Sequence, residues 1–285
     1  LAALEEKAVK EDTLVEDTGV LTIGPFTFPN WYFNQYGKTE GMVNIVKALK
    51  RSNDIFFYKT GEWTGITKLV AWAQKVGLGK PLGVELGGEA SGLIPDPAWK
   101  KARFSTPEDK EARNDKWYLG DTYHVSIGQG YLLVTPLQVN AWTNVIANGG
   151  ILCTPTIQKV DSNKRVGSGK CKQLGIQKET IRLITEGMRQ ACEPGGTGWP
   201  LFNFRVPVAC KTGTAEFGDP NNRTHAWFTA FAPLPADLAS QGDALQKFVT
   251  GEPEISVTVL VEGAGEGSNI AAPVAKKILE EWFGR

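Results

Sequence analysis

The chain has 285 residues, 41% hydrophobic and 22% charged, ordinary values for a globular protein of one large domain or two small ones. Lys plus Arg equals Asp plus Glu at 31 each, so charge gives no reason to invoke nucleic acid or an anionic membrane surface. No apolar run reaches the length of a membrane span.

The start, Leu1 to Lys7, has no basic stretch or cleavage site of a signal peptide. It reads as the middle of a helix without a cap, a first sign that the N-terminus was removed. Residues 19–41 are rich in Gly, Pro and aromatics and suit a loop with short extended pieces. Met42 to Arg51 has helical spacing, Ser52-Asn53-Asp54 interrupts it, and Ile55 to Thr60 resumes an apolar face. Thr64 is expected to cap a helix through Val76, ended by Gly77 and Gly79. Residues 80–120 read as a long surface excursion. Thr135-Pro136-Leu137-Gln138 opens a helix that runs to Asn148-Gly149-Gly150, and Lys178 to Cys192 forms another.

The last third changes period. Val206–Cys210, Ala226–Phe231 and Ile255–Val261 read as strands, and Ala271–Trp282 as a closing helix. The fold class is α/β of the α+β type, an antiparallel sheet flanked by helices, with no linker between two cores. Cys153, Cys171, Cys192 and Cys210 lack the short paired spacings of a zinc knuckle. They read first as four buried small apolar side chains. The alternative is one or two disulfides in an oxidising compartment, and spacing does not give the connectivity.

Lys211-Thr212-Gly213-Thr214 follows an apolar strand. Such a segment suits an anion site on a strand edge: Lys211 brings fixed charge, and Thr212 and Thr214 can donate to a carboxylate. Gly213 removes a side chain, so that a substrate backbone can lie against the strand. Lys-Thr-Gly alone is a weak signal, and its bland alternative is an exposed strand end. Ser52-Asn53-Asp54 alone is more often a helix break or cap. As a functional element, a hydroxyl in a cleft can relay a proton, and a side-chain oxygen two residues on can hold a substrate amide.

Together the two segments resemble the second and third motifs of the serine penicillin-recognising enzymes, which use Ser-x-x-Lys, Ser-x-Asn and Lys-Thr-Gly. Asp54 stands where the second motif usually has Asn, which favours the elongation-type class B penicillin-binding proteins. The resemblance extends through Gly87-Gly88-Glu89-Ala90-Ser91-Gly92-Leu93-Ile94-Pro95, Ser126-Ile127-Gly128-Gln129-Gly130 with Thr135-Pro136-Leu137-Gln138, and Lys211-Thr212-Gly213-Thr214-Ala215-Glu216 with His225-Ala226-Trp227-Phe228. It covers nearly the whole chain and implies the penicillin-binding protein transpeptidase and serine β-lactamase-like fold.

The resemblance implies D,D-transpeptidation. A serine attacks the penultimate D-alanine carbonyl of a peptidoglycan stem peptide, D-alanine leaves, and the amine of a neighbouring stem takes the acyl group. Catalytic roles fall to Ser52, shuttling a proton, and Lys211, supplying the field around it. Substrate binding falls to Asp54, Thr212, Gly213 and Thr214, with the Thr214 N–H as half of the oxyanion hole. β-Lactams are expected ligands, elongation-complex proteins expected partners of the full-length protein, and the periplasmic face of the inner membrane its expected place. In that compartment a Cys192–Cys210 bridge could brace the Lys211 strand, as could Cys153–Cys171 across its own connection.

None of the nine serines has Lys three residues on. Leu1-Ala2-Ala3-Leu4-Glu5 looks like the tail of the family's nucleophile helix. The expectation is therefore a transpeptidase domain over residues 1–285 lacking its N-terminal part, nucleophile included. No cofactor is expected. Some relatives bind zinc between the first two motifs through Asp, His and Cys; residues 12–51 offer Asp12 and Asp17 but no His or Cys, so no zinc site is expected. His124 and His225 read as structural. The alternatives are a non-catalytic scaffold or binding domain with the same fold and, below it, a β-lactam sensor or β-lactamase.

Overall fold

The computed structural model describes residues 1–158, 170–234 and 252–284; Ser162, Ser168 and Ser240 lie outside them. The helical half opens with α1 (Ala2–Glu5). Strand β1 (Val15–Asp17) pairs antiparallel with β4 (Gly41–Val43), and between them lie the hairpin β2 (Val20–Ile23)–β3 (Phe26–Pro29) and helix α2 (Trp31–Tyr36). Then come α3 (Ile45–Arg51), α4 (Asp54–Thr64), α5 (Ile66–Lys75), α6 (Pro97–Arg103), α7 (Pro107–Glu111), α8 (Leu119–Ser126) and α9 (Pro136–Ala147). A short ladder β5 (Ile151–Cys153)–β6 (Cys171–Gln173) precedes α10 (Lys178–Ala191). The chain then forms the antiparallel sheet β7 (Ala209–Glu216), β8 (Thr224–Ala232), β9 (Ile255–Val261), in that spatial order, and closes with α11 (Ala271–Phe283).

The sheet is buried on both faces by alternation of its side chains. Ala226, Phe228 and Ala230 of β8, with Val257 of β9, pack against Ala271, Ala272, Ala275 and Leu279 of α11. The opposite face meets α9, where the hydroxyls of Thr143 and Thr229 lie 2.7 Å apart and Thr229 reaches Thr258 at 2.8 Å. A second core joins Val43, Ile55, Phe56, Tyr123, Leu183 and Phe231, locking α3, α4, α8 and α10 to the inner end of the sheet.

Helix α10 ties the two motif-bearing elements together. It lies so close to α3 that a Cβ on Gly187 would sit 2.5 Å from the Leu49 Cβ. Its C-cap residue Cys192 is disulfide-bonded to Cys210 of β7, and Cys153 to Cys171 across the β5–β6 ladder. The thiol reading of the four cysteines is thus corrected: all four are paired among the described residues.

Other expectations also change. The segment 19–41 contains a helix, α2, which starts at Asn30 and stops at Gly37 in the left-handed conformation. Helix α3 begins at Ile45 rather than Met42, because the Asn44 side chain accepts the Lys47 N–H at 3.0 Å as its N-cap. Thr64 caps nothing downstream. Its hydroxyl donates back to the Thr60 carbonyl at 2.7 Å as the last residue of α4, and Gly65, at φ 79°, makes the break. The excursion 80–120 carries α6, α7 and the start of α8, and buries Lys100 against Asp121. The strand expected over Val206–Cys210 starts at Ala209 and runs to Glu216, so Lys-Thr-Gly-Thr lies inside it.

Candidate active site

The two motifs, 159 residues apart in sequence, meet directly. Lys211 Nζ donates to Ser52 Oγ and, at 2.9 Å, to the Thr212 carbonyl. Strand β7 is an edge of its sheet, and the Lys211 side chain leaves it toward the break between α3 and α4. That break has a strained backbone. Ser52 is the C-cap of α3 in the left-handed conformation, φ 52° and ψ 46°, which costs a non-glycine residue about 1–2 kcal/mol. The strain turns the chain sharply, so that α3 ends and α4 begins within two residues.

Because an ammonium is donor-only, Ser52 Oγ accepts from Lys211, and the serine's own proton is left to point elsewhere in the cleft. Asp54 opens α4, where a negative charge suits the helix dipole. Its Oδ2 accepts the Trp31 N–H at 2.8 Å, and its N–H donates to Asn30 Oδ1 at 3.2 Å. Desolvation raises the Asp54 carboxyl from 3.8 to about 6, opposed by the Trp31 bond and the Lys211 cation. Desolvation likewise lowers Lys211 from 10.5 to about 8, opposed by Asp54.

A folded value above the unfolded one means that folding favours protonated Asp54, and ionisation erodes stability as pH rises from about 4 to about 6. The Asp54→Asn variant lacks this loss. Its urea midpoint is expected to gain on the unsubstituted chain across that window, and a constant difference from pH 4 to 6 would contradict the assigned environment.

Thr212 Oγ1 donates to Thr197 Oγ1 at 2.8 Å, and Thr214 Oγ1 accepts the Gly267 N–H at 3.4 Å. The Thr214 carbonyl accepts Gln129 Nε2 at 3.2 Å, bringing the Ser126–Gly130 segment to the edge of β7. Gly213 has a packing reason as well: a Cβ there would lie 3.2 Å from the Cβ of Trp227, its partner on β8. The loop after α10 reaches both motifs, since Arg51 donates to the Gly195 carbonyl at 2.8 Å while Thr197 holds Thr212.

The structure therefore brings Lys211 against Ser52, two residues before Asp54, with Thr212, Gly213 and Thr214 following Lys211 along the same edge strand. Asn30 and Thr197 were not among the expected site residues; Asn53 lies in the segment whose plainer reading was a helix break or cap. Asn53 is 1% exposed and caps α4 by accepting the Phe56 N–H at 2.9 Å. An Asn three residues before a helical N–H is a readable cap; Asn30 and Thr197 act across long sequence distances and left no local sign. His225 Nδ1 accepts the Gly263 N–H at 3.0 Å, a structural role.

Comparison with known proteins agrees with this geometry. Residues 1–238 match the family described as penicillin binding protein transpeptidase domain. The peptidoglycan D,D-transpeptidase MrdA of Haemophilus influenzae is 31% identical over 309 residues, covering 100% of this chain and 43% of that protein. The MrdA of Escherichia coli is 30% identical over 260 residues, covering 84% of this chain and 37% of that protein. The chain thus spans less than half the length of these relatives. Among solved structures, PBP2 from Helicobacter pylori in complex with MreC is similar at TM-score 0.77 and 31% identity, over 99% of this chain and 47% of that one. Pseudomonas aeruginosa PBP2 in complex with WCK 5153 is similar at TM-score 0.78 and 30% identity, over 99% of this chain and 56% of that one.

Proposed function

This chain belongs to the penicillin-binding protein transpeptidase family, and we propose that it is the greater part of the catalytic domain of a peptidoglycan D,D-transpeptidase of cell-wall elongation. The observation that carries the reading is the Lys211–Ser52 hydrogen bond, which joins two motifs in the family's order across one cleft. Ser52 relays a proton between the attacking serine's lysine partner and the leaving or entering amine. Lys211 holds Ser52 and adds positive potential for the stem peptide's terminal carboxylate, which Thr214 binds by donating its hydroxyl proton and Thr212 by turning its own away from Thr197. The Thr214 N–H stabilises the oxyanion, and Asp54 orders the cleft wall next to the substrate.

The attacking serine is supplied by the parent protein outside this sequence, since no serine here has a lysine one helical turn later. The parent works on the periplasmic side of the inner membrane with other elongation proteins, and the two disulfides support an oxidising compartment. β-Lactams are captured as mimics of the D-Ala-D-Ala end.

Incubation with a fluorescent penicillin, followed by intact mass measurement, tests this. The parent protein is expected to gain one stable adduct on a serine of a Ser-x-x-Lys sequence. This chain alone is expected to gain none, because an unactivated hydroxyl is a poor nucleophile at neutral pH. An adduct on Ser52 would show that the nucleophile has been misplaced, and an unlabelled parent would favour the scaffold reading.

A further inference from the structure

We propose that Asp17 is a positioning residue for the Ser52-Asn53-Asp54 turn, acting through two buried asparagines; this rests on the transpeptidase reading above and adds a residue to it. Asp17 ends β1 and is 2% exposed. Its Oδ1 accepts the Gly19 N–H at 2.9 Å. Its Oδ2 accepts from Asn30 Nδ2 at 2.8 Å, from the Glu40 N–H at 3.0 Å and from Asn53 Nδ2 at 3.0 Å. All four donors are neutral, so a buried carboxylate is held by amide N–H groups drawn from four stretches of chain.

The consequence lies in the other end of each asparagine. Asn30 is 0% and Asn53 1% exposed, so neither amide can be satisfied by water. A carboxylate is acceptor-only, and each asparagine must therefore turn its NH2 toward Asp17 and its carbonyl away. The Asn53 carbonyl then faces the Phe56 N–H at 2.9 Å, and the Asn30 carbonyl faces the Asp54 N–H at 3.2 Å. Both are acceptors for the open N–H groups in the first turn of α4. One charge thus fixes two amide orientations, and the two amides fix the start of the helix on which Asp54 sits. Ser52, left-handed and strained, is the residue immediately before this clamp. A strained residue persists only where its surroundings over-determine it. Asn at position 17 keeps the shape but offers an NH2 where Asn30, Asn53 and the Glu40 N–H need an acceptor. Both amides are then free to flip, and α4 loses its cap acceptors.

Asp17 also faces Asp54 electrostatically from the β1 side, opposing its ionisation, while Lys211 on β7 favours it. Removing the Asp17 charge therefore moves the Asp54 titration to lower pH, a change that loss of folding alone does not produce.

The test compares the parent protein with its Asp17→Asn and Asn53→Ser variants, measuring penicillin acylation across pH 4–9 alongside the thermal midpoint. Serine caps a helix about as well as asparagine but cannot donate to Asp17 from the same distance, so Asn53→Ser cuts only the link. Folded Asp17→Asn is expected to acylate about tenfold or more slowly, with reversible binding little changed and the acidic limb of the profile shifted downward. Asn53→Ser is expected to slow acylation at an unchanged limb, and it decides the matter if Asp17→Asn does not fold. Wild-type rates in folded variants, with the limb unmoved, overturn the inference while leaving the transpeptidase reading standing. A wild-type parent that takes no penicillin overturns that reading and this one with it.

Discussion

Replacement of Lys211 by Met in the parent protein is expected to slow penicillin acylation by about 10²–10⁴-fold, the range in which positioned proton-transfer groups act. Met matches the length of the lysine stem and fills the same space, so the sheet should be preserved. What disappears is the ammonium that donates to Ser52 Oγ and to the Thr212 carbonyl. Three effects then combine. Ser52 loses the bond that orients its hydroxyl, and the hydroxyl can turn its proton into the gap left behind. The cleft loses its cation beside Thr212, where a substrate carboxylate is expected. Asp54, whose ionisation Lys211 favours, becomes harder to ionise and its titration rises above about 6. The measurement is the second-order acylation rate across pH 5–9, with circular dichroism to verify the fold. A folded Lys211→Met variant acylated within a few-fold of the wild type would remove Lys211 from the chemistry.

The motif pair was legible because each half has a local signature: Lys211-Thr212-Gly213 directly after an apolar run, and Ser52-Asn53-Asp54 in a gap of helical periodicity. Their order in the chain pointed to one site, and the Lys211–Ser52 hydrogen bond joins them. Strand β9 was legible in the same way, falling on Ile255–Val261 as its β-branched run predicts, whereas β7 runs from Ala209 to Glu216, past the Val206–Cys210 stretch expected for it. Helix α2 was not, because Trp31-Tyr32-Phe33-Asn34-Gln35-Tyr36 has no polar face to mark a period, and aromatic-rich Gly/Pro surroundings read as loop. Nor was the Asp17 clamp. Single buried polar residues have no periodicity, and Asp17 meets Asn53 only because β1 pairs with β4 and brings its end beneath the α3–α4 break. The left-handed backbone of Ser52 is equally silent in sequence, for serine is not among the residues that favour that region.

Removal of the Cys192–Cys210 bridge is expected to cost about 3 kcal/mol of stability, a fall in the thermal midpoint of roughly 6–12 °C, and to reduce acylation as well. The stability estimate follows from the entropy of closing a loop in the unfolded chain, set by a sequence separation of 18. Cys153–Cys171 has the same separation of 18, so loop closure predicts about the same loss for either pair of Cys→Ala substitutions. The two differ in what they hold. Cys153 and Cys171 join the short β5–β6 ladder, which carries neither motif. Cys192 and Cys210 join the end of α10 to β7 one residue before Lys211, and a Cβ on Gly198 would lie 2.6 Å from the Cys210 sulfur. The loop between them carries Gly195, which accepts from Arg51 beside Ser52, and Thr197, which accepts from Thr212. Freeing the bridge therefore loosens one strap that touches both halves of the cleft. Thermal midpoints of the two double variants of the parent protein, measured beside their acylation rates, separate the effects. Both should melt lower by similar amounts, and only the Cys192→Ala/Cys210→Ala protein should also acylate more slowly. Equal acylation in the two would mean that the bridge stabilises the chain without bracing the site.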